Sequence, residues 1–246
     1  MDTSTTVKAI AGPIGDLAAG FYFSPESVAR AEAIGLDVVS LYGAGRGSVL
    51  GDAAPAEVDA IFYFFKPGMI AGVVEKGRSL ASNDAIRTAH LAAADDYAEA
   101  KFSGIDSSTL EAFANAAASV AASAPTGSWP LFDGYQAAPT PSSAAARAYR
   151  GAILLRELRG GVHTDAVKAA GLSAATACQF DRDDFYFRMH GFGDDDVVEM
   201  TPEVDALKAS TEAATDMAMA NLLEHLSAEQ QQALVEGTAA FAAALA

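Results

Sequence analysis

The stretch Ser40–Phe65, SLYGAGRGSVLGDAAPAEVDAIFYFF, decides how the rest of the chain is read. It opens on a short apolar segment. It then passes through Gly43, Gly45, Gly47 and Gly51, with one cation, Arg46, in their midst, and closes on a helix carrying Phe62, Tyr63, Phe64 and Phe65. Glycine lets backbone approach a neighbour or a ligand closely, and four consecutive aromatics cannot share one helix face. The glycine run is therefore read as a loop deep in the fold, its guanidinium held among apolar and aromatic groups. Two readings follow. In one, Arg46 is a buried clamp, satisfying loop carbonyls or pairing with Glu57 or Asp59. In the other it lines a pocket and holds a ligand carbonyl or carboxylate in its planar five-donor fork.

Outward from this stretch, capping signals and apolar periodicity predict an all-α protein of about ten helices. Thr6–Tyr22 reads as a helix kinked at Gly12-Pro13. Ser24-Pro25 starts a second helix, which Gly35 closes. Lys66-Pro67-Gly68 breaks the aromatic helix, and a short helix follows to Glu75. Ser82 and Asp106 cap two longer helices, reaching Phe102 and Ala122. Residues 124–143 hold four prolines but also Trp129, Leu131, Phe132 and Tyr135, so they are a packed loop rather than a free linker. Ser143–Arg159 is a helix that Gly160-Gly161 ends. His163–Ala170, a turn at Gly171 and Ser173–Asp181 make a helix, turn and helix, and Pro202–Leu226 and Ala228–Leu245 finish the chain. Only Asp37–Leu41 and Phe185–Phe187 have the residue density a strand wants. The chain divides into an N-terminal helical part, 1–139, and a C-terminal helix-turn-helix-like part, 140–246.

The formal net charge is −16. Residues 1–140 hold 8 Lys/Arg and 16 Asp/Glu, and 141–246 again 8 and 16, so each part carries −8. Affinity for duplex nucleic acid comes mainly from neutralised phosphates, so the charge argues against DNA as a partner, and against an anionic membrane for the same reason. The first residues, MDTSTTVK, show no basic segment followed by an apolar core, and the longest apolar run is broken by Lys66-Pro67. The single cysteine, Cys178, suits a reducing compartment. These features predict a cytoplasmic protein.

Four segments, FYFSPESVARAEAIGL (21–36), LYGAGRGSVLG (41–51), IFYFFKP (61–67) and LLRELRGGVHTDAVKAAGL (154–172), give the chain a resemblance over nearly its whole length. It resembles a large actinobacterial family labelled helix-turn-helix, or MarR-like. The resemblance implies a winged helix: a recognition helix from Ser173, then a β-hairpin wing. Here the wing segment reads GFGDDDVVEMTPEVDAL (191–207), with no paired strand pattern. The recognition helix, SAATACQFDRDD (173–184), offers Gln179 and Arg182 as readers among Asp181, Asp183 and Asp184. A groove-reading helix needs a basic surround. The resemblance supports the architecture and counts against DNA reading.

The chemistry-bearing candidates cluster around the opening stretch. His163, read as a helix-start residue whose imidazole the helix dipole keeps neutral, is the candidate general base. Arg46 is its partner for polarising a carbonyl. Tyr22, Tyr42, Tyr63, Phe62, Phe65 and His90 are the candidate substrate-contacting groups, although each alone also suits a core position. Asp181, Asp183, Asp184, His190 and Asp194–Asp196 match no metal-binding spacing, and no phosphate or dinucleotide loop is present. The reading is a small-molecule-binding protein with an aromatic-lined pocket for an apolar or carbonyl-containing molecule. If it is an enzyme, it works without cofactor or metal by acid/base isomerisation, cyclisation, addition or hydrolysis. Two alternatives stay open: a helix-turn-helix regulator sensing a small effector, and a scaffold or accessory protein whose closing helices pair two chains as a homodimer.

Overall fold

The computed structural model describes residues 2–181 and 184–246, and among these the chain is helical throughout with no strand. In chain order the helices are α1 (Thr3–Ala19), α2 (Pro25–Glu32), α3 (Val38–Ser40), α4 (Arg46–Ser48), α5 (Pro55–Ile61), α6 (Met69–Leu80) and α7 (Asn83–Phe102). There follow α8 (Ser107–Ser123), α9 (Pro130–Gln136), α10 (Ala144–Ala169), α11 (Ala174–Asp181), α12 (Asp184–Met189), α13 (Pro202–Leu222) and α14 (Ala228–Ala244). No helix among the described residues is long and apolar enough to cross a membrane.

The caps fall where their side chains demand. Ser24, Ser82, Ser143 and Ser227 each accept a hydrogen bond from the backbone amide three residues on, satisfying a donor that a helix start leaves open. The longest helix, α10, packs on α1, α7, α8, α9 and α13. The main core therefore draws on residues from Val7 to Phe241, with Phe102, Phe113, Tyr149 and Phe241 at its centre. The Phe102 and Phe113 rings meet Phe241 nearly edge-on, centroids 4.7 and 5.1 Å away.

Several local readings are corrected. The glycine run is helix, not loop: α3, capped by Asp37, passes through a π-helical turn at Leu41–Gly45 into α4. Gly45 is needed there for space rather than for its backbone freedom. A Cβ on it would lie 2.7 Å from Nδ1 of the buried His90. The run thus packs against α6 and α7 at backbone distance. The four aromatics do not ride on a helix, because α5 ends at Ile61 and they occupy the turn beyond it. Asp59 fixes that turn. Its carboxylate accepts from the amides of Gly68, Ile70 and Ala71 at 2.7, 2.9 and 3.0 Å, tying the start of α6 to α5 and looping out the residues between.

Gly160-Gly161 does not end a helix, since α10 runs through both. A Cβ on Gly161 would stand 2.5 Å from the Trp129 ring, so this glycine admits the indole onto α10. The proline-rich 124–143 segment contains α9, which buries Leu131, Phe132 and Tyr135. Neither strand-like run is a strand: Asp37–Leu41 leads into α3, and Phe185–Phe187 lies in α12.

Candidate functional site

The centre of the site is an ionic triad, a buried carboxylate between two part-buried arginines. Arg46, at the start of α4, donates from Nε and Nη2 to the two oxygens of Glu157 on α10, at 3.1 and 2.7 Å. Arg156 donates to the same carboxylate at 2.7 Å and to the Tyr22 hydroxyl at 3.2 Å. The Arg46 guanidinium sits 4.7 Å above the Phe62 ring, and Arg156 lies 5.5 Å from the Tyr22 ring centre, both within cation–π range. Arg46 therefore finds its carboxylate on α10, and neither Glu57 nor Asp59 holds it. Burial pushes the Glu157 carboxyl up, but Arg46 and Arg156 outweigh it and hold the group below its ordinary value. The triad leaves one net positive charge.

Three openings surround this triad. A cavity of about 220 Å³ lies between α1, the π turn, the aromatic turn, α10 and α12, and Arg46, Tyr42, Phe65 and His163 share its wall. Its apolar side comes from Val7, Ile10 and Ile14 of α1, and its polar side from Arg156, Arg159, Tyr186 and His190. A second space of about 310 Å³ lies across Phe64 and Phe65, also reaches Arg46, and takes in Phe62 and Tyr63. A third groove, about 530 Å³, meets the first at Tyr42, Arg156, Tyr186 and His190, and brings in Tyr22.

Most of the candidate residues from the sequence thus come to these walls, but not in one place and not always for the reason given. His163 lies well inside α10, so the helix-start argument for a neutral imidazole does not apply. Its Nδ1 stands 3.0 Å from the Thr215 hydroxyl and 3.6 Å from Glu212, and its ring stacks on Phe64 with centroids 5.7 Å apart. Tyr22 is buried, and desolvation raises its phenol to about 12. Tyr63 donates to the Leu172 carbonyl at 3.0 Å. His90 lines none of these spaces. It is buried with Nε2 2.6 Å from the Tyr135 hydroxyl, and desolvation, then Arg150 and Arg46, lower its pKa to about 3.

The residues that sequence reasoning missed are Glu157, Arg156, Arg159 and Tyr186, while His190, weighed there only as a metal ligand, lies in the cavity wall. One signal was available: Glu157 follows Tyr149 and Ile153 at four-residue steps, so the apolar face of α10 carries a carboxylate where a core residue is due. His190 has its Nδ1 2.8 Å from the Tyr186 carbonyl. A carbonyl can only accept, so the neutral ring carries its proton on Nδ1. The ring packs against Phe65 and Tyr186 at 4.3 and 4.0 Å.

The helix-turn-helix is built from the end of α10, a turn at Gly171 with φ +70°, and α11. Val167, Leu172 and Ala177 form its small core, closed from outside by Tyr63 and Phe64. Cys178 donates to the Phe64 carbonyl at 3.0 Å, so the aromatic turn is latched onto α11. A family model described as a helix-turn-helix family matches residues 7–186. The chain belongs to that helix-turn-helix family. No curated protein and no solved structure matches it at a level that carries an argument.

Within this helix-turn-helix chain Gln179, the one expected reader among the described side chains, is engaged. The Gln179 side chain donates to the Val198 carbonyl and accepts from the Val198 amide, both at 2.8 Å. None of the side chains from Ala174 to Gln179 is exposed. Arg182 and Asp183, and the side chain of Asp181, lie outside the described residues. Asp184 and Asp194 pair with Arg188, and Asp196 pairs with Lys66. Among the described residues no three of His, Cys, Asp and Glu gather as a metal cluster.

Proposed function

We propose that this helix-turn-helix family member binds a small apolar, carbonyl-containing molecule in the 220 Å³ cavity between α1, the aromatic turn and α10. One observation carries the reading: Arg46 and His163, from distant parts of the chain, line one cavity whose other walls are largely apolar and aromatic. A carbonyl placed there meets a triad with surplus positive charge, and its apolar body meets Val7, Ile10 and Ile14. Small-molecule sites have this composition, a greasy enclosure with a few convergent polar groups.

If turnover occurs, its chemistry is acid/base. His163 takes or returns a proton, its ring held by Thr215 and Phe64, while Arg46 and Tyr42 polarise the carbonyl. Product mass would be unchanged for isomerisation or cyclisation, and raised by one water for hydration. The DNA-regulator alternative draws support from the family label, but the engaged amide of Gln179 and the absence of an exposed side chain from Ala174 to Gln179 favour the ligand reading.

The test is a thermal-shift and calorimetric screen of the full chain against aromatic and alicyclic ketones, repeated on His163→Ala and on Arg46→Lys, which keeps the charge. Binding by the parent chain, weakened about tenfold or more in each variant, is the expected result. Unchanged affinity and turnover in both variants would remove this site assignment.

A further inference from the structure

A different guanidinium on α10 is built unlike those around the cavity. Arg150 is 6% exposed, yet its five donors make one hydrogen bond, a 3.4 Å contact to the Pro139 carbonyl. Its ion-pair carboxylate, Asp95, stands 3.6 Å away, beyond hydrogen-bond reach. Its Nε is buried with no partner, as is that of Arg159, but Arg150 alone of the two has no carboxylate oxygen within hydrogen-bond reach. Arg46, Arg156 and Arg159 each have a carboxylate oxygen at 2.7–2.9 Å. The titration follows the same division. Burial pulls Arg150 below its ordinary value with Asp95 offsetting only part of the shift. Arg46 and Arg156 are held above theirs by nearby acids and phenols in spite of burial. A buried charged donor without an acceptor carries its full desolvation cost.

Arg150 lines a groove of about 420 Å³ between α8, residues 136–141 and α10. The walls are chiefly apolar, with Ala114, Ala118, Pro139 and Leu154 along them and Arg147 and Glu111 as further charges. It shares no lining residue with the cavity of Arg46 and His163. We propose that this groove binds a small organic monoanion, a carboxylate on an apolar body, whose two oxygens take the unmet donors of Arg150. The planar fork of arginine matches a carboxylate in this way. Arg147 and Glu111 offset one another, Asp95 at 3.6 Å offsets part of the Arg150 charge, and the chain carries −16, so the groove takes at most a single negative charge and disfavours a phosphate dianion.

The full chain is titrated with sodium benzoate and sodium hexanoate by calorimetry and ligand-observed NMR, with benzamide and inorganic phosphate as controls. Saturable binding of the carboxylates and none of the controls is expected. Arg150→Gln should weaken it about 10- to 100-fold. Ala118→Phe, at an exposed position of α8, fills the groove without touching the guanidinium and should abolish binding with the fold intact. It decides the matter if Arg150→Gln does not fold. His163→Ala should leave carboxylate binding unchanged, so failure here is distinct from failure of the ketone site. The proposal is overturned by no saturable binding to the parent chain, by undiminished binding in Ala118→Phe, by loss in His163→Ala, or by equal binding of benzamide or phosphate.

Discussion

Glu157 holds two arginines in place with one side chain, 3% exposed, and its removal shows how much the triad matters. Glu157→Gln would leave two part-buried guanidiniums, Arg46 at 12% and Arg156 at 25% side-chain exposure, without their counter-charge. Breaking a fully buried ion pair from one side costs about 3–5 kcal/mol; with the arginines partly open to solvent, urea unfolding at neutral pH should show a loss of about 2–3 kcal/mol. A change below about 1 kcal/mol would mean that water reaches the arginines freely. Because its folded pKa is lowered, the stability Glu157 contributes is present above the ordinary carboxylate range. It fades as pH falls through the folded value.

His90 titrates earlier. Its folded pKa is depressed to about 3 from an ordinary 6.5, so below 6.5 the unfolded chain takes up a proton that the folded chain refuses. Stability should therefore decline as pH falls from about 6.5, approaching about 1.4 kcal/mol per unit, before most carboxylates begin to protonate. His90→Gln should flatten that slope between pH 6 and 5, estimated from the same linkage as roughly the loss of one titrating group. Equal slopes in parent and variant would place the acid sensitivity elsewhere.

At the scale of elements, glycine separates what the sequence made legible from what it did not. Helix starts were readable because Ser24, Ser82, Asp106 and Ser143 cap by a local, three-residue bond. Gly45 and Gly161 mislead because a glycine marks close approach as readily as it marks a turn, and the approaching groups, His90 and Trp129, are remote in sequence. The partner of Arg46 was illegible for the same reason, lying 111 positions away. The aromatic turn was read as helix because Asp59, which ties it off, acts across the segment it loops out. Gly161→Ala tests this account. A Cβ there would meet Trp129 at 2.5 Å, while the helix itself would gain up to about 1 kcal/mol in propensity. The indole is only part-buried and can move, so helical content should hold while Trp129, the only tryptophan, becomes more accessible to a quencher. Unaltered quenching would show that the indole is not seated on α10 in solution.

Across the whole molecule, several arginines are engaged with buried or part-buried carboxylates and the excess of acids is left outside. Arg46, Arg150, Arg156 and Arg159 face interior spaces, with Glu157, Asp95, Glu212 and Asp216 as their carboxylates. What remains for the outer surface is an excess of acids approaching the net −16. Duplex binding draws its sequence-independent affinity from lysine and arginine placed against phosphates, and this chain has turned several of its arginines away from any such encounter. Fluorescence anisotropy of a mixed-sequence labelled duplex, titrated with the full chain at low salt, should show no binding tighter than the 10⁻⁴–10⁻⁶ M range typical of non-specific contact. The signal should not strengthen when a ketone ligand is added. A tighter, salt-sensitive association would show that α11 reads DNA despite the engaged Gln179. The cavity would then be the sensing half of a regulator, with the Cys178–Phe64 and Tyr63–Leu172 bonds of the aromatic turn as the contacts joining ligand to helix-turn-helix.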